Sequence, residues 1–145
     1  KRAMRFYHEA TKGKGSEHEV NFARMKYLNC VETLRTMSEA ELLRRLHDLS
    51  VEDPTRPETA YMFAVHTAEQ DLRAGIDAAV IASEVAERAN RLPGSIPHET
   101  TCAWRASVLA AACARGLNEP RVARQHAEHA VSLGAPSTYL EEFPS

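Results

Sequence analysis

Residues 75–92, GIDAAVIASEVAERANRL, and residues 116–133, GLNEPRVARQHAEHAVSL, carry the reading that decides the fold. Set on each other at an offset of 41, they match at Gly75 and Gly116, Ala82 and Ala123, Ala86 and Ala127, Glu87 and Glu128, Ala89 and Ala130, and Leu92 and Leu133. The same offset places Ile81 on Val122, Asp77 on Asn118 and, upstream, Phe63 on Trp104. The matched alanines recur three or four residues apart, as on one face of a helix, so each segment predicts a glycine turn leading into a helix with a small-residue inner face. A further offset of 43 brings Leu43, Leu46 and Leu49 onto Ala86, Ala89 and Leu92, which extends the pattern to an earlier, divergent copy.

Outward from this core, Gly and Pro divide the rest of the chain into segments of helical length. Residues 17–35 place Val20, Ala23, Tyr27, Val31 and Leu34 on one face. Ser38 stands three residues before Glu41, the spacing of a capping box, and opens a second helix with Leu42, Leu43, Leu46 and Leu49 on its apolar side. Pro57 suits the first turn of a third helix, with Tyr61, Val65, Ala68 and Leu72 as its stripe and Gly75 as its end. A fourth helix runs from Ile76 to Arg91 with Ala78, Ala82, Val85, Ala86, Ala89 and Leu92 inward, and Pro93, Gly94 and Pro97 force a loop after it. A fifth, from His98 to Arg115, carries Trp104, Val108, Leu109 and Ala111 and closes at Gly116. Asn118 caps a sixth, with Pro120 in its first turn and Val122, Ala123, Ala127, Ala130 and Leu133 inward. A last turn over residues 137–143 packs Tyr139, Leu140 or Phe143 over the exposed end. The organisation expected is a basic arm or linker remnant over residues 1–15 and one helical domain over 16–145, with hairpins at 17–50, 57–92 and 98–134.

Composition agrees with helices. Alanine occurs 23 times against 12 for valine plus isoleucine in 145 residues, 43% of residues are hydrophobic and 26% charged, and the formal charge is −2. Apolar runs such as residues 108–112 are far short of the roughly 18 residues of a membrane span, so no membrane is expected. Eighteen basic against twenty acidic residues make no broad positive field, and nucleic acid is not an expected partner of this segment. Cys30, Cys102 and Cys113 form no C-x-x-C pair and are odd in number, which points to buried apolar thiols and a cytoplasmic location. The chain opens on Lys1, not Met, so a preceding segment is expected.

The series Ala82/Ala86/Ala89 and Ala123/Ala127/Ala130, each followed by Pro93–Gly94 or Gly134–Pro136, resembles a tetratricopeptide-like helical repeat with a 41-residue interval. The resemblance covers residues 57–136 and, more distantly, 17–50. It implies antiparallel hairpins stacked as a short α-solenoid and acting as a protein- or peptide-binding module with a regulatory or scaffolding role. It further implies a groove lined by the first helix of each hairpin, for which Asn21, Arg24, Tyr61, His66, Gln70, Arg105 and Ser107 are the candidates. An alternative is the ligand-sensing and dimerising part of a bacterial transcription regulator. Met4, Phe6 and Tyr7 are the apolar groups at the N-terminal end that either fold back or meet a second copy in a homodimer.

Chemistry-bearing constellations are sparse. No G-x-S-x-G, phosphate-binding loop, G-x-G-x-x-G or H-E-x-x-H occurs, and neither an enzymatic activity nor a cofactor is expected. His98 and Cys102 stand four apart and His126 and His129 three apart on the next helix, spacings that suit zinc, which makes a small zinc-dependent enzyme or metal-binding protein the alternative of another class. His47 beside Asp48 and His8 beside Glu9 point in different directions along a helix. Lys1, Arg2, Arg5, Lys12 and Lys14 read as a solvated basic arm.

Overall fold

A computed structural model describes residues 2–12, 17–91 and 97–144, with the side chains of 17–19, 22, 30, 33, 34 and 97–102 outside the description. The described residues are all-α: α1 (Arg2–Ala10), α2 (Glu17–Leu34), α3 (Glu39–Glu52), α4 (Pro57–Gln70), α5 (Leu72–Asn90), α6 (Pro97–Gly116), α7 (Pro120–Ser132) and α8 (Tyr139–Glu142). They fall into two compact units, Lys1–Pro54 and Thr55–Ser145. The expected loop over residues 93–96 and Leu92 lie outside the described residues.

In the first unit α2 packs against α1 and α3. Arg2–Ala10, expected as an arm, is a helix none of whose residues is buried. The inner side of α2 is Asn21, Ala23, Met25, Leu28 and Val31, so Ala23 and Val31 are buried as expected, while Val20 and Tyr27 sit half-buried and Met25 and Leu28 take the centre of the face. The start of α3 is as expected: Ser38 Oγ accepts the Glu41 N–H at 3.2 Å, and Leu42, Leu46 and Leu49 are buried. The reciprocal half of the capping box is replaced, because the Glu41 carboxylate takes Arg44 Nη2 at 2.6 Å and Arg45 Nε at 2.9 Å.

In the second unit α4 packs on α5 and α6, α5 on α6, α6 on α7 and α7 on α8. The corner between α4 and α5 is Asp71, four residues before the glycine expected to form it. Asp71 is extended at φ −155° and ψ 113°, and its Oδ1 accepts the N–H groups of Arg73 at 2.9 Å and Ala74 at 3.2 Å. Those bonds satisfy donors that the first turn of a helix leaves unpaired, so the chain turns where the cap is. Gly75 lies inside α5 and serves close approach: a Cβ there would stand 2.7 Å from both Cα and Cβ of Ala68.

The junction between α6 and α7 differs from expectation in a similar way. Gly116 is the last residue of α6, the left-handed residue is Asn118 at φ 59°, and Glu119 occupies the cap position before Pro120. Asn118 therefore makes the bend, a conformation asparagine tolerates better than most residues, and is not the cap. Helix α7 ends at Ser132 with Leu133 as its cap, and the φ of +112° at Gly134 lets the Ala135 N–H reach the Ala130 carbonyl at 3.0 Å.

Alanine supplies the interior. Ala64, Ala79, Ala82, Ala106 and Ala110 form one layer, and Ile76, Ala111, Cys113, Ala114, Ala123, Ala127 and Phe143 another. Of the residues read as the apolar faces of α4 and α6, Ala111 is buried, Tyr61, Ala68 and Leu109 pack half-buried against these layers, Val65, Trp104 and Val108 are half-buried, and Leu72 is exposed. Helices whose contact residues are small bring their backbones close, and larger side chains then fit only at the margins. Phe143, 2% exposed, closes the second layer with Tyr139 and Leu140 packed beside it, as expected for the C-terminal turn. Arg124 fixes that turn by donating to the Leu140 carbonyl at 2.6 Å, and Arg115 by lying 4.6 Å from the Phe143 ring centroid. Cys113 is buried, and burial pushes its thiol pKa up, the state of an unreactive apolar group. Cys30 lies outside the described side chains.

Candidate functional site

Two features of the second unit concentrate chemistry. The first is a cleft of about 330 Å³ between α5 and α7, over α6. Its walls are Val80, Ser83, Glu84 and Glu87 from α5 and His126 and His129 from α7, and its floor is Ser107 and Ala110 from α6. The floor is tightly ordered. Ser83 Oγ donates to the Ala103 carbonyl at 3.1 Å and lies 3.0 Å from Ser107 Oγ, so with the Ser83 proton committed, Ser107 is the donor between the two hydroxyls.

The rim of the cleft is polar and titratable. His129 Nε2 lies 3.6 Å from Glu87 Oε2, and Arg88 Nη2 lies 3.9 Å from Glu84 Oε2. His126, one turn before His129, is half-buried; that burial and the neighbouring His129 charge lower its pKa from the ordinary imidazole value. His126 is thus a neutral imidazole at pH 7, able to offer a lone pair.

The second feature is a half-buried aromatic patch with an arginine over it. The Trp104 and Tyr139 ring centroids are 5.9 Å apart, and the Arg105 guanidinium lies 5.7 Å from the Trp104 ring centroid. Trp104 Cδ1 lies beside Gly134, at 4.0 Å from where a Cβ would stand, an ordinary packing distance. Trp104 and Arg105 come from α6, and Tyr139 comes from α8.

The sequence-predicted groove residues are dispersed. In the first unit Asn21 is buried and its Oδ1 accepts from Arg24 Nη1 at 3.2 Å, while the same nitrogen donates to Glu52 Oε2 at 2.7 Å. Arg24 also lines a 400 Å³ hollow with His8, Tyr27, Arg44, Arg45 and Asp48, in which the His8 and Tyr27 rings lie 4.9 Å apart. In the second unit Tyr61 packs against the alanine layer, His66 is buried with Nδ1 3.9 Å from Glu69 Oε2, and Gln70 is exposed at the end of α4. Arg105 belongs to the aromatic patch, and Ser107 is the floor of the cleft.

Of the sequence-predicted metal ligands, His126 and His129 share the cleft, and the side chains of His98 and Cys102 lie outside the described residues. The residue that sequence reasoning missed is Glu87. It stands 39 positions before His126 and reaches the cleft through the packing of α5 and α7 on α6. No sequence spacing announces that encounter. Tyr139 was noted only as a packing residue, and its place beside Trp104 follows from the way α8 folds back. No family model matches the chain, and comparison with curated proteins and with solved structures gives no match either.

Proposed function

We propose that the chain is a protein- or peptide-binding module built from stacked tetratricopeptide-like helical hairpins. Support for the hairpin reading comes from α4/α5 and α6/α7. Their connections are Asp71 alone and residues 117–119, the alanine series of α5 and α7 are buried, and α4 touches α6 as successive first helices do in such an array. The observation that carries the binding reading is the Trp104–Tyr139 pair with Arg105 across it. Tryptophan, tyrosine and arginine dominate the energetics of protein interfaces because they offer rigid apolar area with a polar handle. The partner is a peptide segment that lays an apolar side chain on the rings and a carboxylate against Arg105. Arg105 itself was predicted as a groove residue. Its site is the α6–α8 surface and not a row of first-helix residues.

Trp104 is the sole tryptophan, so its emission reports on this surface directly. Peptides selected from a random library against the whole chain should carry an aromatic or aliphatic residue beside Asp or Glu and should shift that emission on binding. Arg105→Glu should weaken them by about tenfold or more, the loss of over ~1.4 kcal/mol expected at a central interface arginine. Selected peptides that leave the emission unchanged and bind Arg105→Glu as tightly as the parent would refute the reading.

A further inference from the structure

The cleft between α5 and α7 has a composition that the peptide-binding reading does not use. We propose that it is a site for a divalent transition metal of the zinc type, with Glu87, His126 and His129 as its protein ligands. The donor set is two imidazoles and one carboxylate, which suits a borderline cation and leaves coordination positions for water or an incoming group. Calcium and magnesium, which take oxygen ligands, are poorly served by it.

Geometry supplies the argument. Two of the three groups already touch, with His129 Nε2 3.6 Å from Glu87 Oε2. His126 lies three residues from His129 on the same helix and lines the same cleft. The ligands therefore come from the facing walls α5 and α7, and His126 is the side chain that turns toward the Glu87–His129 pair to complete the set. The cleft volume of about 330 Å³ holds an ion together with its waters, since one water takes roughly 30 Å³ of liquid volume. The Ser83 and Ser107 hydroxyls line the same cleft, Ser83 bonded to the Ala103 carbonyl and Ser107 to Ser83, and add polar oxygen atoms beside the ligand set. Glu84, on the same wall, lies toward Arg88 and is left to the rim.

Zinc titration of the whole chain after chelator stripping tests the site, with cobalt as the spectroscopic probe. One equivalent should bind with no thiolate-to-cobalt charge-transfer band. Loss of a direct ligand in Glu87→Gln, His126→Ala or His129→Ala should weaken binding by more than the roughly 10–100-fold that outer partners cost, while His47→Ala should bind as the parent does. Circular dichroism melts identify variants that keep the fold, and near-isosteric Glu87→Gln secures the test if a histidine variant does not. Absence of binding above the buffer control, a thiolate band, or undiminished uptake by folded Glu87→Gln and His129→Ala would each overturn the assignment.

Discussion

Replacing Gly75 with alanine should destabilise the second unit, although the same change on an ordinary helix surface stabilises. Gly75 lies within α5, where alanine would gain about 1 kcal/mol of helix propensity. Against that gain, the added Cβ would stand 2.7 Å from Ala68 Cα, 2.7 Å from Ala68 Cβ and 3.2 Å from Cys113 Sγ. Favourable carbon contacts begin near ~3.5 Å, so α4 has to retreat by close to ~1 Å, and a gap of that size forfeits up to about half of each dispersion contact it opens. Because the obstacle is backbone and cannot rotate away, the cost belongs at the upper end of the ~1–3 kcal/mol typical of overpacking. The net expectation is a loss of about 2 kcal/mol, which lowers the midpoint of a unit of this size by roughly 10 °C. Gly116 is the internal control. A Cβ there meets Leu72 Cδ1 at 2.9 Å, the tip of an exposed side chain that can swing aside, so Gly116→Ala should stay within about 0.5 kcal/mol of the parent. Thermal and urea unfolding followed by Trp104 emission reads the second unit. A Gly75→Ala protein as stable as the parent, or one no less stable than Gly116→Ala, would refute the close-approach argument.

Asp71→Ala should cost about 1 kcal/mol in the same assay, the value of a helix N-cap; a neutral outcome would mean that the corner does not depend on the two bonds to Arg73 and Ala74. Ser83→Ala should cost about 1–3 kcal/mol because it leaves the buried Ser107 hydroxyl without its acceptor, and the Ser83→Ala/Ser107→Ala pair should cost less than the sum of the single changes. Additive losses would show that the two hydroxyls act independently. Stability of the metal-free second unit should fall as the pH drops through 6.5: His126 titrates below that unfolded value, so the unfolded chain takes up the proton first. Glu84, Glu87 and His129 face the same cleft, so the informative measurement is the difference between parent and His126→Gln, whose profile should be flatter; an unchanged slope would exclude His126 as the source.

The pattern of helices was legible because amphipathic spacing and turn residues are local properties. The region from Ser38 to Leu49 shows it: the cap and three leucines act within one helix, and the structure contains both. The α4/α5 corner was misplaced because glycine was read as the breaker, whereas the aspartate four residues earlier satisfies the backbone donors and leaves the glycine for packing. Trp104, Val108 and Leu109 were likewise assigned inward on α6, where the buried residues are chiefly alanine. That error has a physical source, since burial follows backbone separation, and backbone separation is set by the smallest residues at the crossing.

The candidate metal site divides along the same line. His126 and His129 fall on one helix face by spacing alone, but their acidic partner is chosen by which helix lies across α6. The pairing with His98 and Cys102 draws on α6, whose N-terminal turns carry both, and their side chains lie outside the described residues. The cleft takes its walls from α5 and α7, which both pack on α6. A local reading of the sequence can therefore supply the two histidines of such a set. The carboxylate depends on the alanine-lined contacts that bring α5 and α7 onto α6.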